Sequence, residues 1–175
     1  MRRWLIWAPL CAFGVIVALV AWGLWRPADR TVRSAMVGKP LPDFALAGIA
    51  PGKPGLSSAD FRRGQPRLLN VFASWCLPCI AEAPQLMALK AAGAPVDAIA
   101  IKDTPADIAA FLRRNGDPYA RIGDDRHSRV QLALGSSGVP ETFVIDGRGM
   151  IVAQHVGDIR ADDVPALMQA LADAR

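Results

Sequence analysis

The sequence predicts an α/β fold, a mixed β-sheet flanked by helices, carried behind an N-terminal transmembrane helix. Three observations predict it. Strand-like apolar runs alternate with helical periodicities from residue 67 to the C-terminus, Trp75-Cys76-Leu77-Pro78-Cys79 stands where one such strand runs into a helix, and Trp4 to Trp25 contains no charged residue. Alternation of this kind describes a sheet packed between helices.

In chain order, the uncharged run Trp4 to Trp25 reaches roughly 33 Å as a helix at about 1.5 Å per residue, enough to cross a bilayer. Tryptophans at both its ends suit the interfaces. Arg2, Arg3 and the amino terminus favour a cytoplasmic N-terminus with everything after Arg26 exported, although Arg26, Arg30 and Arg33 follow the run. A cleaved signal peptide would show a shorter apolar core and a small-x-small exit site, so a retained anchor is expected over residues 1–25, a linker over 26–36 and one domain over 37–175. About 140 residues suffice for a sizeable core.

Within that domain, Arg67 to Ala73 (RLLNVFA) reads as a buried strand. Ile80 to Ala92 follows at helical spacing, closed by Gly93 and interrupted by Pro84, which should kink it. Val96 to Ile101 is a second strand. Thr104 is an N-cap candidate for a helix from Pro105 to about Arg114, ended by Asn115-Gly116. A short helix is expected from about His127 to Leu134, then a strand over Val139 to Asp146, a turn at Gly147-Arg148-Gly149, and a partner strand from Met150 to Val156. Ala161 to Ala174 closes the domain as an amphipathic helix with Val164, Leu167, Met168 and Leu171 on one face.

The chemistry sits at Cys76 and Cys79, two of the three cysteines. At a helix start, N–H groups and the positive end of the dipole stabilise a thiolate on the first cysteine, and the second lies one turn away to close a small ring. Cys76 is therefore the expected nucleophile and Cys79 the resolving thiol. Cys-x-x-Cys also serves metal and haem sites. Here Cys11 lies inside the apolar run, His127 and His155 are far apart, and Ile80 stands where covalent haem would need a histidine. No metal site and no cofactor are expected, although a metal-delivery or scaffold protein using the two cysteines as ligands is a rival of a different class. The net charge of +4 comes from scattered arginines without an aromatic-interleaved stripe, so no nucleic-acid partner is expected.

The run LLNVFASWCLPC, the proline at 84, IKD at 101–103, GVPETFVIDGRG at 138–149 and LPDF at 41–44 together resemble the membrane-anchored, thioredoxin-like thiol:disulfide interchange proteins of cytochrome c biogenesis, the CcmG/DsbE type. The resemblance spans about residues 37 to 174. It implies a thioredoxin-like fold in which Pro140 is the cis-proline facing the cysteine pair and, with Val139, helps hold an extended substrate segment. It further implies a protein of the bacterial inner membrane with its catalytic domain in the periplasm. Its client would be apocytochrome c or a haem-ligation partner, and its electron donor a membrane thiol transporter of the DsbD/CcdA type. One departure from the pattern matters: Ser136 and Ser137 replace a common Val-Tyr pair. Asn70 stands where cytoplasmic thioredoxins carry a buried acid, which other carboxylates would have to replace.

The residues between the cysteines predict the direction of electron flow. Leu77 and Pro78 supply no cation to the thiolate, which places the pair toward the reducing end of a range from about −270 to about −120 mV. That span corresponds to roughly 7 kcal/mol for two electrons, enough to set direction. A reductase is expected, with a related reductase for another client, such as a copper-site cysteine pair in oxidase assembly, as the alternative. A peroxidase would carry proline and threonine before its cysteine, and Asn70 to Trp75 lacks them.

Around the pair, Trp75 is expected as a partly exposed substrate platform. Glu82 follows Cys79 by three on the same helix and should lean back toward it. Glu141 follows Pro140 in an apolar run, where an ionised, unpaired carboxylate would cost several kcal/mol. Both acids are candidate proton-transfer groups. Lys102 is read equally as a tuning charge or a solvated strand end, and His127 and His155 are assigned no role.

Overall fold

In the computed structural model, residues 4–25 and 36–175 are described, and the chain divides into two units, Met1–Val32 and Arg33–Arg175. The first unit contains a 22-residue helix, α1, Trp4–Trp25, with Pro9 inside it and no acidic first-turn or basic last-turn residue. Its described apolar side chains, such as Leu10, Phe13, Ile16 and Leu19, are exposed. Side chains are described only for Trp7 and for residues 9–23, and among these no helix is long and apolar enough to cross a membrane. The linker expected over residues 26–36 lies outside the described residues except for Met36.

The second unit is a five-stranded mixed sheet with helices around it. Its elements after a small antiparallel pair, β1 (Ala45–Leu46) and β2 (Leu56–Ser57), are β3 (Arg67–Phe72), α2 (Leu77–Ala91), β4 (Val96–Ile101), α3 (Pro105–Asn115), β5 (Ile122–Asp125), α4 (Arg129–Ala133), β6 (Glu141–Ile145), β7 (Ile151–Val156) and α5 (Val164–Asp173). Strand order is β5-β4-β3-β6-β7. The pairs β3–β4 and β4–β5 are parallel, whereas β6 runs antiparallel to both β3 and β7. β3 is thus central, and residues 68–72 are all buried, which is why the sequence there is apolar except for Asn70 rather than alternating. Phe72 at its end stacks on Tyr119 at 4.9 Å between ring centroids and meets Phe111 of α3 at 5.4 Å.

Local chemistry explains the boundaries. Thr104 caps α3 by accepting from the Asp107 N–H at 3.2 Å, Asp107 complements the first turn, Arg113 and Arg114 the last, and Gly116 leaves the helix at φ 94°. α2 begins three residues earlier than the apolar period suggested, at Leu77, because Cys76 itself is the N-cap. β5 is not predicted by its composition, Ile-Gly-Asp-Asp. Pairing with β4 overrides that preference, and Gly123 is required because a Cβ there would lie 2.9 Å from Leu46 Cβ of β1. The short helix after it is only Arg129–Ala133, its start set by Ser128 in the left-handed region at φ 55°. On the opposite edge, backbone bonds from Gly38 N–H to Ile151 O (2.8 Å) and from Ile151 N–H to Lys39 O (2.9 Å) cover the start of β7. The parallel strands end together at one pole, where β3 delivers the chain to the cysteines.

Candidate active site

Cys76 and Cys79 are joined in a disulfide with Cα atoms 5.3 Å apart. Cys76 has the extended backbone of an N-cap, φ −86° and ψ 111°, and its Sγ accepts a hydrogen bond from the Cys79 N–H at 3.2 Å. The sulfur therefore sits where helix-terminal amides and the dipole favour negative charge. Pro78 occupies the first turn, where a missing N–H costs nothing. Both cysteines are nearly covered, at 4% and 1% exposure, while Trp75 and Leu77 beside them are exposed at 59% and 75%.

The cysteine loop opens on a groove of about 370 Å³ whose lining includes Trp75, Lys102, His127, Leu132, Ser137 and Val139. The Val139–Pro140 peptide bond is cis. Trp75 and Val139 thus meet across one groove, while Pro140 is buried immediately before β6. Ser136 and Ser137 spend their hydroxyls within the loop, Ser136 Oγ donating to Gly138 O at 2.9 Å and Ser137 Oγ to Glu141 Oε1 at 3.2 Å.

The two acids have different surroundings. Glu82 is fully buried, with Oε1 accepting from Asn70 Nδ2 at 3.0 Å and Oε2 from the Ile159 N–H at 3.1 Å. Burial pushes its carboxyl up to about 7, against the lowering effect of the Ile159 N–H and the Asn70 amide, with nearby Asp158 adding to the rise. Asn70 extends this network, donating also to Thr142 Oγ1 at 3.0 Å and accepting from Tyr119 Oη at 2.9 Å. Tyr119 is held well above its ordinary pKa, first by burial and then by the Glu82 and Asp117 charges, so its hydroxyl is a fixed donor. The carboxyl that accompanies Asn70 therefore comes from α2, one turn beyond Cys79. Glu141, facing Val71 across β3–β6, is also buried, but it accepts from Ser137 N–H (3.3 Å), Ser137 Oγ (3.2 Å) and Gln154 Nε2 (3.2 Å). It is tied to the loop that carries Val139 and Pro140.

Sequence reasoning missed the roles of Tyr119 and Asp103. Tyr119 is the only tyrosine, a signal of its own in a chain whose other aromatics are Phe and Trp. Asp103 lies two residues beyond β4 and is buried, and no local pattern in the sequence marks its partner.

Comparison with known proteins agrees with this geometry. Residues 36–171 match the family described as Redoxin. The chain is 39% identical over 165 residues to the thiol:disulfide interchange protein DsbE of Escherichia coli (strain K12), covering 91% of this chain and 88% of that protein. It is 35% identical over 162 residues to the thiol:disulfide interchange protein HelX of Rhodobacter capsulatus, covering 93% and 92%. Among solved structures, a thioredoxin family thiol:disulfide interchange protein from Chlorobium tepidum superposes with a TM-score of 0.61 at 27% identity, covering 75% of this chain and 95% of that one.

Proposed function

This chain belongs to the Redoxin family, with thiol:disulfide interchange proteins of the DsbE/HelX type as its relatives and a thiol-disulfide oxidoreductase activity, and from that premise we propose that it is a membrane-anchored reductase of cytochrome c maturation. The observation that carries this reading is the Cys76–Cys79 pair at the N-terminus of α2 beside an open groove. In the reduced protein, the Cys76 thiolate attacks one sulfur of a substrate disulfide, and the other sulfur leaves as a thiolate. The Cys79 thiolate then attacks Cys76 Sγ, releases the second substrate sulfur and closes the disulfide present in the structure. Two electrons pass to the substrate, and a membrane thiol donor of the DsbD/CcdA type restores the pair.

Resolution requires Cys79 to lose its proton although it sits inside the helix with less help from the dipole. Glu82, one turn further along α2 and poised near neutrality, is the group suited to accept it. The proposed client is the cysteine pair of an apocytochrome c haem-binding segment or of a haem-ligation partner. The absence of a cation between the cysteines supports the reducing direction. α1 supports an anchor, because its 22 residues carry no charge and its described apolar side chains, such as Leu10, Phe13 and Leu19, are exposed, which is costly in water. That anchor would place the catalytic domain in the periplasm of a bacterial inner membrane. Ser136 and Ser137, in place of a Val-Tyr pair, favour the second reading of a related reductase with another client. Cys79→Ala separates the two: it should accumulate mixed disulfides through Cys76, and mass spectrometry should find apocytochrome c or its maturation partner in them. Adducts with copper-site proteins alone would favour the second reading, and trapping through Cys79 in a Cys76→Ala variant would reverse the assigned roles.

A further inference from the structure

We propose that Asp103, at the corner between β4 and α3, is a positioning residue for the nucleophile: it clamps Ser74, two residues before Cys76, and so holds Cys76 in its N-cap conformation. Asp103 is 6% exposed. Its Oδ2 accepts from the Ser74 N–H at 2.6 Å, and its Oδ1 from Ser74 Oγ at 2.8 Å and from the Thr104 N–H at 2.9 Å. The same corner holds the next residue as well, because the Trp75 indole N–H donates to Lys102 O at 3.2 Å. Lys102 adopts φ 46°, a left-handed conformation that non-glycine residues rarely take, immediately before the clamping acid. One corner thus grips both Ser74 and Trp75. Among the described residues, only the Cys76 N–H to Ala73 O bond, at 3.2 Å, otherwise closes this turn.

A buried carboxylate beside a nucleophile that must become a thiolate works electrostatically in the wrong direction, since a like charge disfavours the thiolate. Its retention there is accounted for by geometry. It fixes Cys76 at the position where the Cys79 N–H and the dipole of α2 stabilise negative sulfur, and that gain outweighs the repulsion. The clamp also fixes the Trp75 indole at the rim of the groove, so one set of bonds sets both the reactivity of the sulfur and the position of the platform.

Geometry and charge predict opposite signs, which makes the idea testable. The full chain, reduced, is alkylated with iodoacetamide across pH 5 to 10 and the Cys76 peptide is followed by mass spectrometry, so that Cys11 and Cys79 do not contribute. If the clamp acts by positioning, Asp103→Ala raises the midpoint of Cys76 alkylation and slows the reaction at pH 7 by about 3- to 10-fold. Asp103→Asn, which removes the charge but keeps one acceptor, should fall between wild type and Asp103→Ala. An unchanged or lowered midpoint in Asp103→Ala would show that the acid acts only as a nearby charge, or not at all, and would overturn the proposal. Should Asp103→Ala fail to fold, Ser74→Ala decides. It loses one bond and leaves the charge in place, and should slow Cys76 alkylation at pH 7 by about 2-fold. An unchanged or faster rate there overturns the proposal equally.

Discussion

The two ends of the central sheet each bury a carboxylate completely, and they treat it in opposite ways. At the end where β3 and β4 begin, Asp97 is paired with Arg67 Nε at 2.5 Å, with Arg121 Nη1 4.0 Å away on its other oxygen. At the end where β3 runs into the cysteines, Glu82 meets only an amide and a backbone N–H, and no ion pair to it occurs among the described residues. The guanidinium of Arg67 gives Asp97 a structural ion pair. Without one, burial leaves the Glu82 carboxyl able to hold or release a proton near pH 7. Burial alone does not decide how an acid behaves. What matters is which groups compensate it.

The largest effect should come from breaking the paired end. Asp97→Ala strands the Arg67 guanidinium, whose side chain is only 14% exposed, and should cost about 3 kcal/mol in denaturant melts. Replacing both residues, Asp97→Ala with Arg67→Leu, should recover part of that loss, because no unpaired charge remains. Mixed-disulfide resolution, measured well below the melting midpoint, should stay at the wild-type rate in both. A slowed reaction would mean that the two ends of the sheet are coupled and that Asp97 is more than structural.

Glu82 tests the other end through its titration. The carboxyl binds its proton up to about pH 7 in the folded chain but releases it near 4.5 when unfolded. Between those values the native state holds the extra proton, so stability falls as pH rises through the window and levels off above it. The span from 4.5 to about 7 corresponds to about 3 kcal/mol at about 1.4 kcal/mol per unit. Melts of the oxidised protein at pH 4.5 and 7.5 should show a loss of that order on going to the higher pH, and Glu82→Gln should flatten it. The same variant should slow resolution of a preformed mixed disulfide about 10- to 100-fold at neutral pH, a defect that shrinks toward pH 8.5. A wild-type resolution rate in Glu82→Gln from pH 6 to 9 would remove Glu82 from the proton transfer.

How much of this was legible in the sequence depended on how local the signal was. β3, β4, β6 and β7 could be read because their apolar runs are long, and α3 because Thr104, Asp107 and Gly116 mark its ends chemically. β5 could not be read, since Ile-Gly-Asp-Asp has no strand pattern of its own and exists by pairing with β4. In the site, the helix spacing of Cys76, Cys79 and Glu82 is local, so their grouping could be read directly. The Asn70 bonds to Tyr119 and Thr142, and the Asp103 clamp on Ser74, join residues far apart in the chain, and no local pattern encodes such pairings.

Tyr119→Phe probes that long-range part with a smaller expected effect. It removes the hydroxyl that donates to Asn70 Oδ1 and leaves a buried acceptor unpaired, a loss of about 1 to 2 kcal/mol in denaturant melts. The Asn70 amide, freed on one side, should hold Glu82 less firmly. Resolution should slow about 2- to 5-fold, in contrast to Asp97→Ala, which costs more stability and leaves the rate alone. Equal resolution rates in Tyr119→Phe and wild type would confine the Asn70 network to a packing role.

The smallest effect is expected from Glu141→Gln, because the surroundings of Glu141 can accept the new amide. Gln at 141 keeps an oxygen to accept from the Ser137 N–H and Oγ. Its NH₂ would then point at Gln154 Nε2, a clash of donors, but Gln154 Oε1 is buried without a hydrogen-bond partner among the described residues. A flip of the Gln154 amide presents that oxygen to the new donor and moves its NH₂ to the position the oxygen held, so the bond between the two side chains is kept and one amide group stays unpaired as before. The substitution should therefore change stability by less than about 0.5 kcal/mol, within the range of substitutions that remove no buried interaction. Since the loop carrying Val139 and Pro140 stays anchored, any kinetic effect reports the charge alone. Resolution of the mixed disulfide within 2-fold of wild type would leave Glu82 as the acid that takes the Cys79 proton and Glu141 as the anchor of the loop. A drop of 10-fold or more, at unchanged stability, would mean that Glu141 also takes part in the resolution step.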